Sequence, residues 1–314
     1  MSLASSPSEQ DLLPSSRYAA GPEAYFALLK PRVMSLVIIT ALAGMLISPV
    51  RPHPIIGFAA LLAIAVGAGA SGALNMWWDA DIDAKMARTR LRPIPSGLIA
   101  PKEVLFFGLT LALLSVALLS VVSNFLAGGL LAFTIFFYIV IYSMWLKRST
   151  PQNIVIGGAA GALPPIIGYA AAGGGLSVDS VILFAIIFFW TPPHFWALAL
   201  VKSADYERVG VPMMPNAKGQ ARTRTEILVY TFIVAPLALA PYFAGFAGSV
   251  YLVVSVVGGI GMILDALRVF RVREGVGANK AAMRLFGFSI LYLFALFVVL
   301  VVEHGIGLFA RWGL

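Results

Sequence analysis

The sequence predicts an all-α, polytopic membrane protein with nine spans and a cytoplasmic N-terminus. Three observations predict it. The composition is 60% hydrophobic and only 11% charged, against about 25% charged residues in an ordinary soluble domain. Continuous apolar runs of about 20 residues recur along the chain, the length a helix needs to cross a bilayer. Lysine and arginine fall almost wholly in alternate loops.

The first 24 residues are polar and rich in Ser and Pro, with no apolar core of a signal peptide. They read as a flexible cytoplasmic tail, and 25–314 as a single transmembrane domain. The apolar runs then place spans at about 33–50, 55–74, 104–123, 125–145, 153–172, 179–200, 227–246, 250–267 and 284–303. Continuous runs of this length mean helices, since a helix satisfies its own backbone in lipid. The break between the third and fourth is marked by little more than Asn124, so one long kinked segment is an alternative there.

Of the 22 Lys and Arg, 20 lie before span one or after spans two, four, six and eight. The exceptions are Arg51 and Arg311. This places the even-numbered ends in the cytoplasm and explains the net charge of +8 by topology rather than by nucleic acid. Arg268, Arg271, Arg273, Lys147 and Arg148, taken singly, read as topology determinants. With no cysteine, thiolate metal sites, disulfides and cysteine nucleophiles are excluded.

Two cytoplasmic stretches carry chemistry. In the first, Asn75-Met-Trp-Trp-Asp79-Ala-Asp81-Ile-Asp83, the outer three polar residues stand four apart. On a helix Asn75, Asp79 and Asp83 share one face, and Asp81 points away. Stacked oxygen ligands suit Mg²⁺, which is held by one or two carboxylates and substrate phosphates. Arg88 and Arg92 follow, again four apart, and can fork onto the same diphosphate. The competing reading, solvated acids at a helix end, leaves this combination unexplained.

The second stretch runs from Trp190-Thr-Pro-Pro-His194 through Lys202 and Asp205 to Gly210-Val-Pro-Met-Met-Pro215. Pro192 and Pro193 are expected to break span six. His194, ionisable within a span, is a functional candidate by default, with a hydrogen-bonded structural histidine as the alternative. Lys202 and Asp205 form either a local ion pair or a second half-site for metal and diphosphate. The likeness of the two stretches suggests a weak internal duplication closing over one substrate. Trp77, Trp78, Trp145, Trp190 and Trp196 read first as an interfacial belt. Gly157, Gly158 and Gly161 mark close helix packing.

Lys30-Pro-Arg-Val-Met, the stretch from Asn75 to Gly97, Trp145-Leu-Lys-Arg-Ser-Thr-Pro-Gln-Asn, Trp190-Thr-Pro-Pro-His-Phe-Trp and Asp205-Tyr with Gly210-Val-Pro-Met-Met-Pro together resemble the heme-farnesylating branch of the UbiA-type membrane prenyltransferases. The resemblance covers about residues 25–300. It implies a ring of nine helices around a central cavity in a bacterial inner membrane. It implies Mg²⁺-dependent transfer of a farnesyl group from farnesyl diphosphate to a vinyl group of heme b, with water added, giving heme O for terminal oxidases. Asn75, Asp79, Asp83 and Asp205 would hold the metal. Asn75, Arg88, Arg92 and Lys202 would bind the diphosphate, and His194 the heme. The second acidic motif departs from the superfamily pattern: Asp205 is followed four residues on by Val209. Candidate protein partners are a heme A synthase or an oxidase assembly factor. A different class, an ion-coupled transporter, would place its acids near the bilayer midplane rather than at one end beside arginines.

Overall fold

Proline opens α1 (Pro22–Leu28), α2 (Pro31–Ile47), α3 (Pro54–Trp78) and α5 (Pro101–Val122). Its locked φ suits the first turn, where its missing N–H costs nothing. The computed structural model describes residues 20–305. Between α3 and α5 lies the short α4 (Ala80–Lys85), and after α5 come α6 (Phe125–Ser149), α7 (Asn153–Gly174) and α8 (Val178–Val201). Two short helices, α9 (Ser203–Arg208) and α10 (Met214–Lys218), lead to α11 (Gln220–Phe243), α12 (Ser249–Arg271) and α13 (Gly275–Gly305).

Among the described residues, eight helices are long and apolar enough to cross a membrane, and the bent pair α1–α2 makes a ninth. These match the nine expected spans. Most of the expected tail, 1–24, lies outside the described residues, but its last three residues already belong to α1. The weak break at Asn124 is a true hairpin. Asn124 caps α6 by accepting from the Ala127 N–H at 2.9 Å, and its amide donates to the Ala170 carbonyl at 2.8 Å. One polar residue suffices because it satisfies groups on two helices at once.

Consecutive spans pack on one another, and α13 returns against α2, closing the bundle. One core joins α2, α3, α5, α6 and α7 through Met45, Leu74, Leu119, Leu131 and Ile167. A second joins α8, α11, α12 and α13 through Trp196, Ile227, Met262 and Leu296, with α2 and α7 contributing to both, and a smaller third packs Leu28, Met76 and Ile99. Phe58, Phe106, Leu113, Val121 and Leu291 are exposed on the outside, where lipid replaces water as solvent.

Pro192 and Pro193 do not break α8, contrary to expectation; the helix runs through them. The Thr191 hydroxyl donates to the Ile187 carbonyl, and close packing of Gly158 against Thr191 supports the segment. Away from the acid-rich end, Glu303 of α13 accepts from the Gly248 and Tyr251 N–H groups at 2.8 and 3.0 Å. A carboxylate there answers the unpaired donors and the dipole of the start of α12.

The α2–α7 crossing is the tightest contact. A Cβ at Gly44 would strike the Pro165 backbone, and one at Gly168 the Ala41 carbonyl. Neither obstacle can rotate away. Gly168→Ala should therefore force the helices apart at a cost of about 1–3 kcal/mol. Thermal unfolding in detergent should show a clear fall in Tm. Gly129→Ala, with nothing within 4 Å of its added carbon, should leave Tm unchanged; equal effects would refute this account.

Candidate active site

The face predicted from spacing survives the end of α3. The Asp79 N–H donates to the Asn75 carbonyl at 2.9 Å, and the Asp83 N–H to the Asp79 carbonyl at 2.8 Å. Helical hydrogen bonding thus carries the register from α3 into α4. Asn75, Asp79 and Asp83 are 5, 0 and 3% exposed, far drier than solvated helix-end acids would be.

Buried carboxylates need partners, and here one comes from the adjoining loop and one from a distant helix. Lys147 donates to Asp79 Oδ2 at 2.5 Å, and Arg92 to Asp83 Oδ2 at 2.6 Å. Lys30 donates to Asn75 Oδ1 at 2.7 Å. The Asn75 amide nitrogen donates to Asp79 Oδ2 at 2.7 Å and to Ser143 Oγ at 3.0 Å. Lys30 adopts a left-handed backbone, φ 53° and ψ 59°, which costs a non-glycine residue about 1–2 kcal/mol. That turn joins α1 to α2 and brings its side chain to Asn75.

Lys147 reaches the acids because α6 changes its winding. Residues Phe137–Leu146 form a π-helix, and the Ser143 hydroxyl donates to the carbonyl of Tyr138, five residues back. Such wide turns recur at functional sites because they shift the side-chain register. This one sets Ser143 against Asn75. It also stacks Tyr138 on Tyr142 at 5.4 Å between ring centroids.

Arg148 edges this layer, its guanidinium 3.7 Å from Asp79 Oδ1. Its fork donates to both oxygens of Asp81 at 2.9 and 2.8 Å, and its guanidinium lies 5.6 Å from the Trp78 ring centroid. The Arg148 hydrogen bonds hold the Asp81 carboxyl below the usual carboxylate range. The pair is therefore intact at neutral pH. Its contribution is lost only as pH falls through that depressed value.

Lys30, Lys147 and Arg148 were not among the expected site residues; the latter two read as topology charges. No sequence period links them to residues 45 or more positions away. Their only signal was their place in the stretches that carried the family resemblance.

The second half-site is looser. Asp205 is half-buried, and its recorded ion pair is with Arg208 at 3.7 Å, not with Lys202. Lys202 caps α8 and is exposed, as is Arg88 in the first loop. Among the described residues, no three of His, Cys, Asp and Glu gather as metal ligands, so Asp205 does not join Asp79 and Asp83. The loops nonetheless meet: Asp81, Lys85 and Arg148 face Val209, Gly210 and Val211 across a polar crevice.

The tryptophans divide. Trp145 is 63% exposed, as a belt residue should be, whereas Trp190 and Trp196 are buried. Trp190 stacks on His194 at 4.3 Å, and Phe286 covers the other face of that ring at 4.5 Å. Asp265 is buried and pairs with Arg284 at 2.9 Å as well as with its neighbour Arg268.

An apolar cavity, with Lys30 in its lining, lies between α2, α3, α6 and α7. Val33, Val37, Ile64, Leu131 and Ile167 line it, with Tyr138 and Gly161. Gly157 and Gly158 pack tightly against Tyr142 and Thr191, but a Cβ at Gly161 would meet nothing within 4 Å. The acid face fits a hard divalent cation. It offers two dry carboxylates and an amide, and Asp79 Oδ1 lacks a hydrogen-bond partner.

The family model for UbiA prenyltransferases matches residues 37–307. This chain belongs to the UbiA prenyltransferase family. It is 68% identical over 286 residues to a protoheme IX farnesyltransferase of Beijerinckia indica, covering 91% of this chain and 89% of that one. A protoheme IX farnesyltransferase of Methylocella silvestris is 64% identical, with 91 and 90% covered. Among solved structures, a digeranylgeranylglyceryl phosphate synthase superposes with TM-score 0.74 at 17% identity, covering 90% of this chain and 98% of that one. A UbiA homologue from Archaeoglobus fulgidus bound to DMAPP and Mg²⁺ gives 0.67 at 18% identity, with 88 and 99% covered. These likenesses confirm the fold of this membrane transferase.

If Lys147 belongs to the site rather than to topology, Lys147→Gln should lower prenyl transfer by roughly 100-fold, the loss typical of removing one preorganised charge partner. Arg271→Gln, an exposed basic position at the end of α12, should leave the rate intact. Matched rates in the two purified variants would return Lys147 to a topology role.

Proposed function

We propose that this prenyltransferase moves a farnesyl group from farnesyl diphosphate to a vinyl group of heme b, with addition of water, giving heme O. One observation carries the site assignment. A dry acid–amide face, ringed by Lys30, Arg92 and Lys147, shares Lys30 with the lining of an apolar cavity. The cations suit a diphosphate, and the cavity suits an isoprenoid chain. High identity to protoheme IX farnesyltransferases supports heme b as acceptor.

Asn75, Asp79 and Asp83 would hold Mg²⁺, which when bound supplies positive charge against the leaving diphosphate. Lys30, Arg92 and Lys147 are within reach of the same oxygens and balance the charge that develops there. Arg88 and Lys202, exposed on the two loops, guide the incoming diphosphate. Asp205 joins only if the loops close further. The C–O bond breaks with its electron pair going to diphosphate oxygen, leaving an allylic cation. Tyr138 and Tyr142 shelter it with their faces, and the apolar wall keeps water away. The vinyl carbon of heme donates its π pair to that cation. Water captures the new cation beside the porphyrin and releases a proton. His194 is the residue that meets heme.

The charge asymmetry supports an active site facing the cytoplasm from a bacterial inner membrane. We assign the bundle to one transferase domain whose protein neighbours include a heme A synthase or an oxidase assembly factor.

Purified protein in detergent, given heme b, farnesyl diphosphate and Mg²⁺, should yield a porphyrin heavier by farnesyl plus water. The product should vanish with Asp79→Ala and without metal. Farnesylation of a phenolic acceptor with heme untouched would keep the diphosphate site and overturn the acceptor.

A further inference from the structure

His194 is held on three sides. Trp190 and Phe286 stack on its two faces, with ring planes within 15 and 19° of parallel. Its Nδ1 lies 2.8 Å from Ser289 Oγ, which in turn lies 2.8 Å from the Phe286 carbonyl. The Trp190 indole N–H donates to the Ser289 carbonyl at 2.8 Å. The cage is thus closed through Ser289, which is itself fully buried.

This geometry bears on where the protons are. The Ser289 hydroxyl has one proton and reaches both the Phe286 carbonyl, which only accepts, and His194 Nδ1. With that proton on the carbonyl, Ser289 Oγ accepts from Nδ1–H. In the neutral ring that leaves Nε2 with its lone pair, on the edge away from the Ser289 anchor. A histidine that donates through one nitrogen and offers the other is the arrangement of a metal ligand.

We propose that Ser289 is a positioning residue that fixes the His194 tautomer, so that Nε2 binds the iron of the heme substrate rather than a propionate. The inference rests on the reading of His194 as the residue that meets heme. It sharpens that reading, because an unprotonated nitrogen cannot donate to a carboxylate but can ligate a metal. Trp190 serves the same end from the other side, since one ring both covers His194 and anchors Ser289.

The test compares heme b with metal-free protoporphyrin IX, which keeps both propionates and lacks the iron. Each is titrated into wild type, His194→Ala, Ser289→Ala, Ser289→Thr and Trp190→Phe in detergent. Affinity and the Soret band are read by absorption. Monodisperse elution and retained farnesyl diphosphate binding report that each variant is folded. His194→Ala should abolish the ligated-heme spectrum. Ser289→Ala should weaken heme b by about 10–100-fold, the usual loss when a metal ligand's partner is removed, and shift the Soret band. Ser289→Thr, which keeps the hydroxyl, should recover most of the affinity. Trp190→Phe should show a smaller loss in the same direction, and it reads the same cage if Ser289→Ala fails to fold. Protoporphyrin binding should be unchanged throughout.

If His194→Ala keeps the wild-type heme spectrum and affinity, the heme reading of His194 itself fails. If His194→Ala loses ligation while folded Ser289→Ala and Trp190→Phe match wild type, the reading stands and the positioning role is wrong. Equal losses for heme b and protoporphyrin would assign His194 to a propionate and overturn the tautomer argument.

Discussion

Two carboxylates are taken almost completely out of water at one end of this bundle, and each needs a cation nearby. An isolated buried charge costs several kcal/mol even after relaxation, so Asp79 and Asp83 exist in this form only because Lys147 and Arg92 reach them. The partners come from separate elements: the end of α6 for Asp79, and the loop after α4 for Asp83. Lys30, from the turn before α2, completes the layer through Asn75. Charge balance therefore ties three spans and a loop together before any substrate arrives. The same cations stand where a diphosphate would need them, so one set of side chains serves folding and chemistry.

That requirement accounts for local features that look costly alone. A left-handed lysine and ten residues of π-helix are each less favourable than regular α-helix. Both lie where a side chain must be turned onto the acid face. In the other half of the bundle α8 runs through two prolines and carries His194 into an aromatic cage with α13. The two larger cores share α2 and α7, the pair whose glycines let the backbones touch.

Much of the site was legible from spacing, because hydrogen bonding across the α3–α4 junction preserves the helical register that places Asn75, Asp79 and Asp83 together. Asp81 turned away, as the same geometry requires, and its partner proved to be Arg148. The reading of Lys147 as a topology charge failed for a definite reason. A basic residue at a span end satisfies the positive-inside rule whether or not it also meets a buried acid, and local sequence cannot separate the two. Lys202 and Asp205 did not form the local ion pair that was one reading of their spacing. Their spacing permitted an ion pair, but the nearer competitor for Asp205 was Arg208.

The sequence by itself determined the membrane class, the nine spans and the acid face. All follow from properties local to about one helix: hydropathy, loop charge and a repeat of four. Tertiary structure decided that Lys147 neutralises Asp79, that Lys30 meets Asn75, and what encloses His194. Those depend on contacts between residues 45 to 99 positions apart. Nothing in the chain encodes such distances until helix packing brings the partners together.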